Sequence, residues 1–324
     1  MIISRTPLRV SFCGGGSDLP NFYRKFGGAV LSMSIARYVY LSMHAQFGGN
    51  GFILKYSQLE TPGSVAEIQH RIIREVFDAY GILGVDFNSS ADVPAGTGLG
   101  SSSAFTVGLL NLCNAYLGRY MGREALAAEA CEVEIERLGE PIGKQDQYSC
   151  AMGGLNYIQF HPDESVTCEA VPLTLDMRQQ LEQNLVMLYI GGTRSASAIL
   201  KNQAKSIDSN SNAVDDLRAM VAQAGALRGD IIRDVNVLGP YLNEGWMRKK
   251  RLTAGISNPQ IDSAYDRAMA AGATGGKLLG AGGTGFLLVY APGDARDAVI
   301  AALPECQAYN VRLDMIGTTI IYSD

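Results

Sequence analysis

Pro94-Ala95-Gly96-Thr97-Gly98-Leu99-Gly100-Ser101-Ser102-Ser103-Ala104 gathers three glycines and three serines within a short stretch. Such a backbone turns sharply and keeps few side chains in the way of a ligand. Phe105, Leu109, Leu112, Cys113 and Tyr116 then recur at helical spacing, which predicts a helix with Ser101 or Ser102 near its N-cap. The start of a helix offers free N–H groups and the positive end of a dipole, so a phosphate suits it. The stretch is not G-x-x-x-x-G-K-[ST], because no lysine follows the glycines. It is not G-x-G-x-x-G either, because the third glycine is missing after Gly98. An ordinary glycine turn with a serine cap is the plain alternative.

Other stretches also carry groups able to do chemistry. Cys13-Gly14-Gly15-Gly16-Ser17-Asp18 brings a backbone close to something and ends on a carboxylate. An aspartate there can accept two hydrogen bonds at once or simply cap a turn. Ala125 to Leu138 reads as a helix with glutamates at 129, 132, 134 and 136, most of them suited to a solvated face. Gly139 to Tyr148 follows and contains Lys144 and Asp146. Asp146 suits a turn or a helix cap. Lys144 suits transferred charge, or the surface. Thr193 and Arg194 stand where Gly191-Gly192 opens a helix, a place for an anion, a sugar or an ordinary cap. Arg248-Lys249-Lys250-Arg251 beside Trp246 reads as a solvated helix face or as an attractor of anionic substrate.

Both element types are needed to position these residues. Ile2 to Phe12 is a strand interrupted at Pro7. Val30 to Phe47, Phe52 to Tyr56 and Val85 to Asn88 read as strands, and Val65 to Tyr80 as an amphipathic helix. A β-rich start followed by a buried helix predicts α+β rather than repeated βαβ units. The domain change is expected between His161 and Met177, giving residues 1–170 and 171–324. Phe286 to Tyr290, Asp294 to Leu303 and Ala308 to Leu313 read as strand, helix and strand.

The 324 residues suffice for two cores, and 47% apolar with 18% charged residues is a globular composition. A net charge of -5 gives no reason to expect nucleic acid. No apolar run approaches the ~20 residues that span a bilayer, so no membrane partner is expected. Six scattered cysteines without a C-x-x-C pair and a start without a signal-peptide core predict a cytoplasmic protein with reduced thiols. Three isolated histidines argue against a histidine-based metal site.

The run P-x-G-x-G-L-G-S-S-S-A resembles the second motif of the GHMP small-molecule kinases, the superfamily of galactokinase, homoserine kinase, mevalonate kinase and phosphomevalonate kinase. P-x-R-V…G-G-G-S-D resembles the first motif of its sugar kinases, with Arg9 nine residues before Asp18. Gly275 to Phe286 resembles the third motif, with a spacing difference before Lys277 and Thr284 in place of a glycine. The resemblance covers nearly the whole chain. It implies a two-domain GHMP kinase fold, an N-terminal ATP-binding domain and a ferredoxin-like C-terminal domain. It implies that Pro94, Gly96, Gly98, Leu99, Gly100, Ser101, Ser102 and Ser103 hold ATP. Gly139 to Tyr148 is similar to the family's G-x-P-x-G…D segment, which makes Asp146 the general base, with Arg9 and Lys144 at the same centre. The family's Mg²⁺-binding glutamate lies seven residues before that proline. Here that is Glu134, or Glu136 if the helix end shifts, with Ser102 as the hydroxyl ligand. Acceptor contacts are expected from Gly15, Gly16, Ser17, Asp18, Thr193, Arg194, Gly282 and Gly283. Direct transfer from ATP, without a covalent enzyme intermediate, is implied.

Within the superfamily, R-T-P-L-R-V-S-F-C-G-G-G-S-D-L-P, G-E-P-I-G-K-Q-D-Q-Y, T-R-S-A-S and G-G-K-L-L-G-A-G-G look most like the D-glycero-α-D-manno-heptose 7-phosphate kinases. Those phosphorylate the anomeric hydroxyl to give the 1,7-bisphosphate, on the way to GDP-heptose for bacterial surface polysaccharides. Lys144, Arg194 and the basic run would then meet a sugar phosphate. An L-fucose- or galactose-type sugar 1-kinase is the alternative, and a non-catalytic sugar sensor a more distant one. A homodimer is compatible with this reading.

Overall fold

The computed structural model describes residues 1–49, 51–192 and 197–324. The N-terminal half runs β1 (Ile2–Cys13), α1 (Pro20–Phe26), β2 (Gly28–Ala45), β3 (Ile53–Lys55), β4 (Leu59–Glu60), α2 (Arg71–Tyr80), β5 (Val85–Ala91), α3 (Ser101–Tyr116), α4 (Arg123–Cys131), α5 (Gln145–Met152), β6 (Leu155–Phe160) and β7 (Val166–Ala170). The rest runs α6 (Leu175–Asn184), β8 (Leu185–Gly191), α7 (Ser197–Ser209), α8 (Ser211–Ile231), α9 (Leu238–Leu252), α10 (Pro259–Ala270), β9 (Gly275–Leu278), β10 (Gly285–Tyr290), α11 (Ala295–Ala302), β11 (Gln307–Asn310) and β12 (Thr319–Ser323).

The first sheet has the order β12-β1-β2-β5-β3-β4, with β6 and β7 branching from β2. Pro7 explains the branch. Proline offers no N–H to the ladder, and the register jumps there, from Pro7 opposite Tyr38 to Leu8 opposite Ile35. The kinked β2 pairs with β6 before the bulge and with β5 after it. Helix α3 packs against β1 and β2 and against α2, α4 and α5. Its residues from Ser103 to Leu110 are all buried. A helix that is buried all round belongs in a core, so its first turn is held rigidly.

The second sheet is antiparallel, order β11-β8-β10-β9, the strand order of a ferredoxin-like half. The fold is α+β, as expected. The chain's end departs from the expected division at residue 170, because β12 returns to pair with β1. Its β-branched and aromatic residues, Thr319 to Tyr322, suit that edge.

Two helices also differ from their periodicity. Residues 65–67 form a 3-10 turn, and α2 begins only at Arg71, where His70 accepts from the Ile73 N–H at 3.4 Å. The helix expected to Leu138 is α-helical to Cys131 and then π-helical over Glu132–Arg137. Wider turns of this kind re-aim side chains and are frequent at functional sites. Here the turn leaves Glu134 buried and Glu136 exposed.

Candidate active site

A cavity of about 480 Å³ opens between the glycine stretch before α3 and the second half of the chain. Gly100 sits in the left-handed region (φ 74°) and caps α3 itself, so the expected serine N-cap is not observed. A cap without a side chain places Ser101, Ser102 and Ser103 in the first turn, where their hydroxyls are free for other work. Ser102 Oγ donates to Glu134 Oε1 at 2.9 Å and Ser103 Oγ to Oε2 at 2.8 Å. Gln147 Nε2, which the sequence reading missed, donates to the same Oε2 at 2.7 Å. Glu134 is only 1% exposed, and burial raises its pKa despite these three donors. Among the described residues it has no ion-pair partner, so a buried carboxyl faces the cavity beside a hydroxyl and a helix start. No cluster of three or more metal-ligating side chains exists among the described residues.

Arg9 stands behind the glycine loop. Its Nε and Nη2 donate to Asp146 Oδ1 and Oδ2, both at 2.8 Å, and its Nη1 donates to the Gly98 carbonyl at 2.6 Å. Asp146 stays partly exposed to the cavity, its side chain at 26%. Asp18 faces the same space and is 2% exposed. It accepts from the Gly16 N–H at 2.9 Å, the Gln145 N–H at 3.2 Å and Gln145 Nε2 at 3.1 Å. Burial raises its pKa, and the charge of Asp146 adds to the rise. Gly143 makes this possible, since a Cβ there would lie 2.0 Å from Asp18 Oδ2. Gly98 (φ +87°) touches the third glycine stretch backbone to backbone. A Cβ on it would meet the Leu279 carbonyl at 2.6 Å.

Arg9, Gly15, Gly16, Asp18, Gly96, Gly98, Gly100, Ser101, Ser102, Ser103, Glu134, Asp146 and Gly282 are brought to one cavity. Others are not. Ser17 Oγ is spent on the Ala29 backbone, donating and accepting at 3.1 Å. Leu99 is core, and its carbonyl accepts from the Arg9 N–H at 3.0 Å. The Pro94 carbonyl accepts from Thr97 Oγ1 at 3.0 Å and shapes the loop from behind. Gly283 bonds the Ile256 carbonyl at 3.0 Å and Asn258 Nδ2 at 3.1 Å. Lys144, expected at the catalytic centre, turns away. Its Nζ donates to Glu164 Oε2 at 2.6 Å and lies 5.0 Å from the Tyr23 ring centre. Thr193 and Arg194 lie outside the described residues.

The basic run divides. Arg248 and Arg251 pair with Asp216, and Lys250 pairs with Asp262, as a solvated face would. Lys249 instead is buried, lines the cavity and donates to the Gly280 carbonyl. The sequence does contain its signal, because Leu242, Gly245, Trp246, Lys249 and Leu252 form one buried helical stripe. Lys277 of β9 also lines the cavity and donates to the Phe12 carbonyl at 3.1 Å. Burial lowers both lysine pKa values, that of Lys277 to about 8.

Known proteins share this arrangement of the chain. A family model for the GHMP kinases N terminal domain matches residues 67–154, and one for the GHMP kinases C terminal domain matches residues 222–308. A D-glycero-alpha-D-manno-heptose 7-phosphate kinase of Campylobacter jejuni is 27% identical over 95% of this chain and 94% of that protein. A bifunctional fucokinase/GDP-fucose pyrophosphorylase of Arabidopsis thaliana is 26% identical over 88% of this chain, which spans 29% of that longer protein. The crystal structure of a D-glycero-D-manno-heptose 1-phosphate kinase from Bacteroides thetaiotaomicron superposes with a TM-score of 0.81 over all of both chains, at 23% identity. No described helix is long and apolar enough to cross a membrane. The glycine loop at a helix start, the two carboxylates beyond it and the matched domains agree, and the chain belongs to the GHMP kinases, ATP-dependent phosphotransferases with a hydroxyl acceptor.

Proposed function

We propose that this kinase phosphorylates the anomeric hydroxyl of a sugar phosphate, D-glycero-α-D-manno-heptose 7-phosphate, to the 1,7-bisphosphate. The observation that carries the reading is the Arg9–Asp146 pair, set between the carbonyl of Gly98 in the glycine loop and the buried carboxylate of Asp18. The C. jejuni relative, aligned over almost the full length of both chains, supports the choice of acceptor.

In this reading the N–H groups at the start of α3 and the bare glycine backbone bind the ATP phosphates. Asp18 receives a sugar hydroxyl through Oδ2, which accepts one backbone bond and keeps a lone pair, whereas Oδ1 already accepts two. Asp146 orients the acceptor hydroxyl and takes its proton as transfer proceeds. Phosphoryl transfer has a loose transition state, so placement matters more than base strength. Arg9 fixes the Asp146 carboxylate plane and contributes positive charge where negative charge builds up. Ser102 and Glu134 fit Mg²⁺, which takes oxygen ligands and draws the rest from phosphate and water. When bound, the ion neutralises phosphate charge.

A coupled ADP-release assay with Mg-ATP tests the proposal. It compares the heptose 7-phosphate with phosphate-free heptose, L-fucose, galactose and mannose. Selective turnover of the heptose phosphate is expected. Turnover of a neutral sugar alone would discard that acceptor in favour of an L-fucose- or galactose-type 1-kinase, a reading that the fucokinase relative favours.

A further inference from the structure

We infer that Lys249 and Lys277 form an anion subsite that grips the phosphate already carried by the acceptor, and so set the preference for a sugar phosphate over a free sugar. The inference rests on the sugar-phosphate reading above and names the residues that would enforce it. Both lysines line the cavity and both are buried, at 6% and 4% exposure. Each donates to one backbone carbonyl, Lys249 to Gly280 and Lys277 to Phe12. An ammonium group has three hydrogens to give, so two remain on each. Neither lysine forms an ion pair among the described residues, although most other cations near this cavity do. Arg9 is matched by Asp146 and Arg71 by Glu140. Two buried ammonium groups in one cavity, neither in a direct ion pair and offset only in part by Asp18 and Asp146, are unfavourable, and a ligand anion would supply the contact that the protein omits. Burial, then the charges of Lys277 and Arg9, lower the Lys249 pKa against a smaller opposing pull from Asp18 and Asp146, a balance that a bound anion would shift.

Two further groups point the same way. Gln203 Nε2 and Ser11 Oγ are buried without a hydrogen-bond partner, and both residues line the cavity at 2% and 7% exposure. Gln203 Nε2 lies against Gly16, where a Cβ would come within 2.1 Å of it. An amide donor, a hydroxyl and two ammonium groups together suit a phosphomonoester better than a bare sugar face. Lys277 also stands at the acceptor's end of the cavity, while Lys249 reaches the cavity from Gly280 of the third glycine stretch. The Phe12 carbonyl that Lys277 holds precedes Cys13 and the glycine turn leading to Asp18. The group transferred from ATP already has the start of α3 and Arg9 to meet its charge.

The test compares kcat/KM for heptose 7-phosphate with kcat/KM for phosphate-free heptose, in the wild type and in Lys249→Gln. Glutamine keeps a donor for the Gly280 carbonyl and removes the charge. Lys277→Gln is the second variant, so a folding failure in one leaves the other to decide. The expected result is a fall of ~30-fold or more in the ratio, expressed in the KM of the phosphorylated acceptor. A wild-type preference for the phosphorylated acceptor that survives both substitutions would overturn the subsite and leave the proposed function standing. An equal loss of kcat on both acceptors would also overturn it, assigning the lysines to the transferred phosphoryl group. A wild type with no preference for the phosphorylated acceptor would remove the proposed substrate. Inorganic phosphate then decides: competition with the sugar in the wild type but not in Lys249→Gln supports the anion subsite, and no competition in the wild type overturns it.

Discussion

Arg9 and Asp146 are 137 positions apart in the chain and meet through two parallel hydrogen bonds of 2.8 Å, Nε to Oδ1 and Nη2 to Oδ2. The third arm of the guanidinium reaches the Gly98 carbonyl at 2.6 Å. One planar group thereby aligns the proposed base with the nucleotide loop. Lysine cannot reproduce the fork, because its ammonium is a single point charge. Asp146→Asn is expected to lower kcat by about 10²–10⁴, the range for loss of a general base, while ATP still binds. Arg9→Lys should also lower kcat, since Asp146 would lose its fixed plane. Isothermal titration with a non-hydrolysable ATP analogue, beside steady-state rates, checks both. Retained turnover in Asp146→Asn would remove it from the base role.

Glu134 sets stability against function. Its pKa is raised by burial, so the folded protein prefers it neutral. Its stabilising contribution is fully present below the ordinary value of 4.5 and is lost as pH rises through the raised value. Glu134→Gln keeps the shape and removes the charge, and the Ser102 hydroxyl can rotate to accept from the new amide. The ligand-free variant should melt higher than the wild type at pH 7, by about 2–4 °C for each kcal/mol gained. That advantage should shrink toward pH 4.5, where the wild-type carboxyl is protonated as well. Activity with Mg-ATP should fall at the same time. Melting curves across this pH range, with and without Mg-ATP, separate the two effects.

Gly98→Ala tests the contact between the glycine stretches. The residue has φ +87°, and the new Cβ would lie 2.6 Å from the Leu279 carbonyl. Strain at a left-handed non-glycine residue costs on the order of 1–3 kcal/mol, and the clash adds to it. Both should show as a lower melting temperature and a higher KM for ATP. An unchanged KM would mean that the loop binds nucleotide without the support of the second half.

The sequence made the three glycine stretches legible because glycine density survives without knowledge of the fold. The contact of Gly98 with Leu279 and Gly280 leaves no local mark in the sequence. Lys144 misled because it is two residues from Asp146, yet it precedes the first turn of α5 and its side chain runs to Glu164 in the β6–β7 turn. Proximity along the chain says little about direction at a helix start. Lys249 was hidden in a charge run, although its place on the Leu242–Trp246–Leu252 stripe marks it as the inward member. Gln147 and Gln203 carry no such mark. Glutamine is common on surfaces, and only tertiary packing turns these two inward. The return of β12 to β1 was invisible for the same reason, since strand pairing over more than 300 residues leaves no local pattern.

The pH profile offers the sharpest check on the two buried lysines. Lys277, with its pKa lowered to about 8, is held down first by burial and then by Arg9, and is partly relieved by Cys13 on β1. Lys249 on α9 is the other cation facing it. As pH rises through 8, Lys277 loses its proton and the subsite loses charge. As pH falls through about 6, a sugar phosphate takes up its second proton and loses charge on its own side. For the phosphorylated acceptor, kcat/KM should therefore be bell-shaped between about 6 and about 8, because that ratio reports the free enzyme and free substrate. Phosphate-free heptose makes no use of the subsite and should lack both of these limbs. Lys277→Gln should flatten the alkaline limb for the phosphorylated acceptor. An identical alkaline limb for both acceptors would place the titrating group in the transfer step instead.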